Sequence, residues 1–129
     1  MKLNLKMAIA ASLLLPTVAC DSSRRMVGPY TLVRADDCKA IDIRSSHLVL
    51  KSDGTYDQTH ELTNGEIFHV NGEHWTYSQR TIYLKNFHIS LRQGPLLDKN
   101  GTDVSLKAHP SRPPFISLPN STCYYGGPK

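Results

Sequence analysis

Leu48-Val49-Leu50-Lys51-Ser52-Asp53-Gly54-Thr55-Tyr56 is two alternating runs that meet at an Asp-Gly step. A three-residue loop Ser52-Asp53-Gly54 suits a type I turn followed by a glycine in the left-handed region, which makes a bulged β-hairpin. That loop sets Lys51 against Thr55, Leu50 against Tyr56 and Leu48 against Gln58. Leu48, Leu50, Tyr56 and Leu62 then share one face, as burial on one side of a sheet requires. A two-residue loop would oppose Leu50 to Asp57 and mix the faces, so it is rejected. Thr63-Asn64-Gly65 repeats the chemistry and places His60 opposite Phe68 and Gln58 opposite Val70. Asn71-Gly72 reads as a two-residue type I′ loop. It sets Phe68 opposite Trp75 and His69 opposite His74, with Phe68, Val70, Trp75 and Tyr77 turned to the core.

Outward from this meander, alternation marks candidate strands at 30–34, 47–51, 55–62, 67–70, 74–79, 81–85, 87–91, 104–108, 115–118 and 123–125. Apolar parity changes between Ile82-x-Leu84 and Phe87-x-Ile89, so Lys85-Asn86 is expected to be a bulge or bend. The expected fold class is all-β: a small antiparallel meander closing into a barrel, with a β-sandwich as the alternative. The chain has 129 residues, 40% of them hydrophobic, which suits one domain and is too apolar for disorder. Removing Lys2 and Lys6 with a leader takes the formal charge from +4 to +2, too little to argue for a nucleic-acid partner.

Leu48-x-Leu50-x-x-Asp53-Gly54-Thr55-Tyr56, then Gly72-x-x-Trp75, then Ile82-x-Leu84-x-x-Phe87, resembles small, uncharacterised bacterial lipoproteins with a lipocalin-like β-barrel or β-sandwich domain. The resemblance spans roughly residues 29–91. It implies a barrel or sandwich and an envelope location; it carries no activity, no catalytic residue and no cofactor.

Residues 1–20, MKLNLKMAIAASLLLPTVAC, have the form of an export leader. Lys2 and Lys6 give a positive start, an apolar run follows from Met7 to Leu15, and small residues precede the cleavage point. Leu15-Pro16-Thr17-Val18-Ala19-Cys20 resembles a bacterial lipobox, which implies acylation of Cys20; ordinary cleavage after Ala19, releasing a secreted or periplasmic protein, is the alternative. With Cys20 carrying lipid, Cys38 and Cys123 remain as a pair for a disulfide in an oxidising compartment. Two unpaired buried cysteines are the alternative. The expected organisation is a signal peptide at 1–19, a lipid-anchored tether at 20–26, the β-domain at 27–125 and a disordered tail at 126–129.

Few residues invite chemistry. His60 falls on the face of Tyr56 and Leu62, where with Gln58, Tyr56 and Trp75 it is a candidate ligand contact; a histidine satisfied by backbone is the plainer reading. His69 and His74, if paired across the Asn71-Gly72 turn, are candidate ligands for a divalent metal, against a solvated pair. No cofactor is otherwise expected. No glycine-framed serine or oriented acid marks a hydrolase, so an enzyme is not expected. Arg112, in the stiff segment 109–114, is a candidate partner contact. The function expected is a membrane-anchored envelope lipoprotein that binds a small apolar ligand or an envelope protein. The alternatives are metal handling or inhibition of a hydrolase such as lysozyme.

Overall fold

The computed structural model describes residues 23–33, 42–90, 96–119 and 122–128. Among the described residues eight antiparallel strands follow one another around a closed barrel: β1 (Gly28–Val33), β2 (Ile43–Leu50), β3 (Thr55–Leu62), β4 (Ile67–Ser78), β5 (Thr81–Ser90), β6 (Leu96–His109), β7 (Phe115–Ser117) and β8 (Tyr124–Gly126). Closure removes the unpaired edges that an open sheet would expose. The all-β barrel expected from the turns is the observed fold, and it is compatible with a lipocalin-like architecture.

The first two hairpins form with the expected register. Leu50 pairs with Tyr56 and Leu48 with Gln58, while the Lys51 N–H donates to the Thr55 carbonyl at 2.9 Å. His60 pairs with Phe68 and Gln58 with Val70. Leu48, Leu50, Tyr56 and Leu62 are all buried.

At Asn71-Gly72 the chain does not turn, and the expected hairpin is corrected. β4 runs straight through, so that Thr55 pairs with His74 and Tyr56 with Glu73. Asn71-Gly72 is instead a bulge, one extra residue on β4 between the Tyr56 and Gln58 pairs, with Gly72 at φ +75°. Asp57 Oδ1 accepts from the Gly72 N–H at 3.2 Å and pins it. The reason is length. A turn at residue 71 would leave the first residues of β3 with no neighbour on that side, whereas a continuous β4 covers β3 to its end. Trp75 consequently pairs with Leu84 of β5 and not with Phe68.

Lys85-Asn86 is the expected bulge: Leu84 pairs with Val104, Phe87 with Thr102, and Asn86 has φ +53°. Two pairs of expected strands, 67–70 with 74–79 and 81–85 with 87–91, therefore merge across bulges into β4 and β5.

Packed structure reaches beyond residues 27–125 at both ends. Ser23–Met26 makes one helical turn, with the Met26 N–H on the Ser23 carbonyl at 2.9 Å, and Met26 is fully buried under Tyr30, whose hydroxyl donates to the Met26 carbonyl at 2.7 Å. The tether thus ends in a core residue. The supposed disordered tail contributes Gly126 to β8, paired with Thr31 and Phe115, and the Gly127 N–H donates to the Pro114 carbonyl at 2.8 Å. A side chain at Gly127 would lie 2.7 Å from the Tyr30 ring and 2.8 Å from the Pro114 carbonyl, so the second glycine marks close packing and not fraying.

Gly127→Ala should accordingly lower the free energy of unfolding by about 1–3 kcal/mol, the usual cost of overpacking. Urea denaturation checks this; an unchanged midpoint is the result a frayed tail would give.

Candidate functional site

β3 aims Tyr56, Gln58, His60 and Leu62 into the barrel, and all four are buried. The interior around them is occupied by side chains. Tyr30, Tyr56, Phe87 and Tyr125 are each at most 1% exposed, and Leu48, Leu50, Ile82, Leu84, Ile89, Leu106 and Ile116 fill between them. Eight strands enclose a space that side chains can just fill.

The four residues expected to meet a ligand are separated by this packing. Trp75 sits at the end of the barrel that carries the β2–β3 turn, where its indole N–H donates to the Lys51 carbonyl at 2.9 Å and its backbone N–H to the Gly54 carbonyl at 3.0 Å. The Tyr56 hydroxyl donates to the Lys85 carbonyl, and burial raises its pKa. Trp75 and Tyr56 have thus committed their polar atoms to backbone. Gln58 and His60 lie farther along β3 and have not.

Gln58 Oε1 accepts from the His88 N–H at 3.1 Å. That N–H lies where β5 and β6 lose register between Phe87 and Ile89, so a side chain supplies the acceptor there. Gln58 Nε2 faces the Tyr125 hydroxyl without reaching hydrogen-bond geometry. The Tyr125 hydroxyl lies 2.6 Å from Ser46 Oγ, and both groups are fully buried.

His60 is fully buried with neither ring nitrogen hydrogen-bonded; its edge lies near the His88 carbonyl, outside bonding geometry. Phe68 lies over it, ring centroids 6.2 Å apart and 19° from parallel, and Phe68 also meets the His88 ring at 5.1 Å. His88 Nδ1 is held by the Asp98 carbonyl at 2.8 Å. Burial first, then the neighbouring His88, lowers the His60 pKa to about 4, so the ring is neutral at pH 7. It then offers one N–H donor and one acceptor lone pair. Ser46 is its cross-strand partner, yet that hydroxyl is bonded to Tyr125 and both residues are inaccessible. This Ser–His pair is not arranged to attack a substrate.

His69 and His74, expected to face each other, stand five residues apart on one strand, about 16 Å along it. His69 Nδ1 is 2.6 Å from Thr59 Oγ1, and His74 pairs with Thr55. The shared metal site expected of them is therefore not formed, because the turn that would have joined them is a bulge. Among the described residues no group of three or more His, Cys, Asp or Glu is placed to hold a metal ion. Cys123 is buried, while Cys20 and Cys38 lie outside the described residues. Arg112 is exposed and lines an open cleft of about 700 Å³ between the 110–114 segment and the outer faces of β1, β7 and β8.

Sequence parity places Gln58 and His60 inside but does not show that Ser46, His88 and Tyr125 meet them there. Ser46 and Tyr125 pair only through closure, 79 positions apart in the chain, and His88 joins them through the register break.

Because the folded state rejects a proton on His60, stability rises with pH between about 4 and 6.5. It is fully present above pH 6.5, falls as pH drops to about 4 and levels off below, a loss of about 3 kcal/mol from this residue. Urea melts across that range should show the slope, and His60→Leu should flatten it while raising stability at neutral pH by about 1–3 kcal/mol, the desolvation cost of its unbonded nitrogens. Compared with known proteins, the chain matches no family model, no curated protein and no solved structure.

Proposed function

We propose that this chain is an exported envelope protein, anchored through Cys20, whose barrel binds a small molecule at the Gln58–His60 end and performs no catalysis. The observation that carries the reading is the buried imidazole with both nitrogens unbonded beside a buried amide with one nitrogen unbonded. Both groups are inaccessible in the filled barrel, so a ligand reaches them only when Phe68, which lies over His60, swings aside; leaving them unpaired costs about 1–3 kcal/mol each, which a bound partner recovers. The donor set shifts the ligand from the apolar class expected from sequence to a small, uncharged, polar one. Gln58 Nε2 offers donors to a carbonyl oxygen, and neutral His60 matches a hydroxyl that both donates and accepts. A charged ligand would lose its hydration at so buried a site, where Asp42 is the carboxylate whose field reaches His60.

Export and anchoring rest on the leader at 1–19 and the lipobox-like stretch ending at Cys20. A bridge between Cys38 and Cys123 follows from spending Cys20 on lipid, and the burial of Cys123 supports it. Such a bridge would tie the segment between β1 and β2 to the strand that closes the barrel.

Native mass spectrometry of the protein taken from its own membranes should reveal one small bound molecule, lost in the Gln58→Leu, His60→Leu double variant while that variant still folds. An empty wild-type protein would sink the ligand reading. Denaturing mass of the same sample reports acylation of Cys20 independently.

A further inference from the structure

Every strand of an up-and-down barrel begins at one end and finishes at the other, so the topology sorts the loops into two sets. The helical turn 23–26, the β2–β3 turn, the β4–β5 turn, the 110–114 segment and residues 127–128 all lie at the end where β1 begins. That end collects Arg24, Arg25, Arg80, Lys107 and Arg112, all exposed. Arg25 and Arg112 line one cleft, and Arg24 lines another with Ser52, Asp53 and Gly54 of the β2–β3 turn. Among the described residues none of the five is in an ion pair; Lys51, close by, is paired with Asp57 at 2.8 Å. Asp53 is the acidic neighbour, and its Oδ1 already accepts from the Thr55 N–H and hydroxyl at 2.9 and 2.7 Å. The other end has the opposite character among the described residues: Asp42, Glu61, Glu66 and Asp98 stand against Arg44 and Lys99.

The polarity matters because of where the chain enters. Ser23 opens the folded domain at the basic end, three residues after Cys20, and three residues span at most about 11 Å. That distance is comparable to the Debye length of about 8 Å at physiological salt, within which a basic group is attracted to an anionic surface.

We propose that the basic end of the barrel docks on anionic phospholipid headgroups of the membrane in which the chain is anchored, so that the barrel stands upright with the Gln58–His60 end pointing away. The membrane as the occupant rests on the anchoring reading above; the charge polarity of the barrel does not. Arg24 and Arg25 meet the surface first, Arg112 stands beside Arg25 on their shared cleft, and Arg80 in the β4–β5 turn lies on the far side. Guanidinium groups suit this role because they bind phosphate oxygens in a fork. Upright docking keeps the acidic end away from the like-charged surface.

The test uses the full chain carrying Cys20→Ser, which cannot be acylated, and compares its partition into phosphatidylcholine vesicles with that into phosphatidylcholine–phosphatidylglycerol vesicles. The ratio of the two cancels any apolar contribution of the leader. Arg25→Glu with Arg112→Glu should lower that ratio by at least about 25-fold, from roughly five-fold per basic group removed. High salt should abolish the preference, and Lys99→Glu at the opposite end should leave it unchanged. A ratio indifferent to the double variant, or lowered equally by Lys99→Glu, overturns the docking proposal. Denaturing mass of the wild-type protein separates this from the anchoring reading: acylated protein with no headgroup preference refutes docking alone, and unacylated protein that still prefers anionic vesicles refutes the anchor alone.

Discussion

Closure by β8 is the constraint on which the rest of the molecule depends. Three residues, Tyr124–Gly126, pair with β1 on one side and β7 on the other, and without them β1 and β7 would present bare edges. So short a strand holds because its middle residue reaches far. Tyr125 is fully buried, packs edge-on against Phe87 and places its hydroxyl 2.6 Å from Ser46 on β2. The carbonyl of the neighbouring Cys123 accepts from the Leu118 N–H at 3.2 Å. The two Tyr125 contacts join distant parts of the chain, so they oppose the loop-closure entropy that a closed barrel must overcome.

The interior so enclosed divides along β3. Toward the β2–β3 turn, Tyr56 and Trp75 lay large rings in the core and spend their polar atoms on backbone carbonyls. Farther along, Gln58 and His60 carry amide and imidazole groups into a place where the strand ladder is interrupted. Bulges are known for re-aiming side chains next to functional sites, and here the irregular stretch at His88 leaves the His88 N–H free of the ladder to donate to Gln58 Oε1. Burying a neutral imidazole with no bonded nitrogen lowers stability, which gives His60 a sensitivity to acid that a leucine would lack. The proposed ligand and the proposed membrane contact sit at opposite ends, so one does not obstruct the other.

Much of this was legible in the chain because the three-residue turns are nearly self-sufficient. Ser52-Asp53-Gly54 and Thr63-Asn64-Gly65 each specify a loop length, and loop length specifies register, so the inward placement of Tyr56, Gln58 and His60 followed from local chemistry. Asn71-Gly72 misled for an equally physical reason. A type I′ turn and a glycine bulge both favour Asn-Gly, both use a positive φ, and both displace the apolar alternation by one residue. Phe68, Val70, Trp75 and Tyr77 fit either geometry. Only the need of β3 for a partner along its whole length chooses the bulge. The metal pairing of His69 with His74 failed with that single choice.

What the sequence alone determined was therefore the strand content, two hairpin registers and which β3 residues face inward, since these depend on contacts a few residues apart. Tertiary structure decided that the meander closes, that Met26 and Gly127 belong to the domain, that Ser46 meets Tyr125, and that scattered arginines gather at one end. Those outcomes depend on which segments become neighbours in space. No local propensity encodes that; it follows from pairing every strand edge and filling the enclosed volume at once.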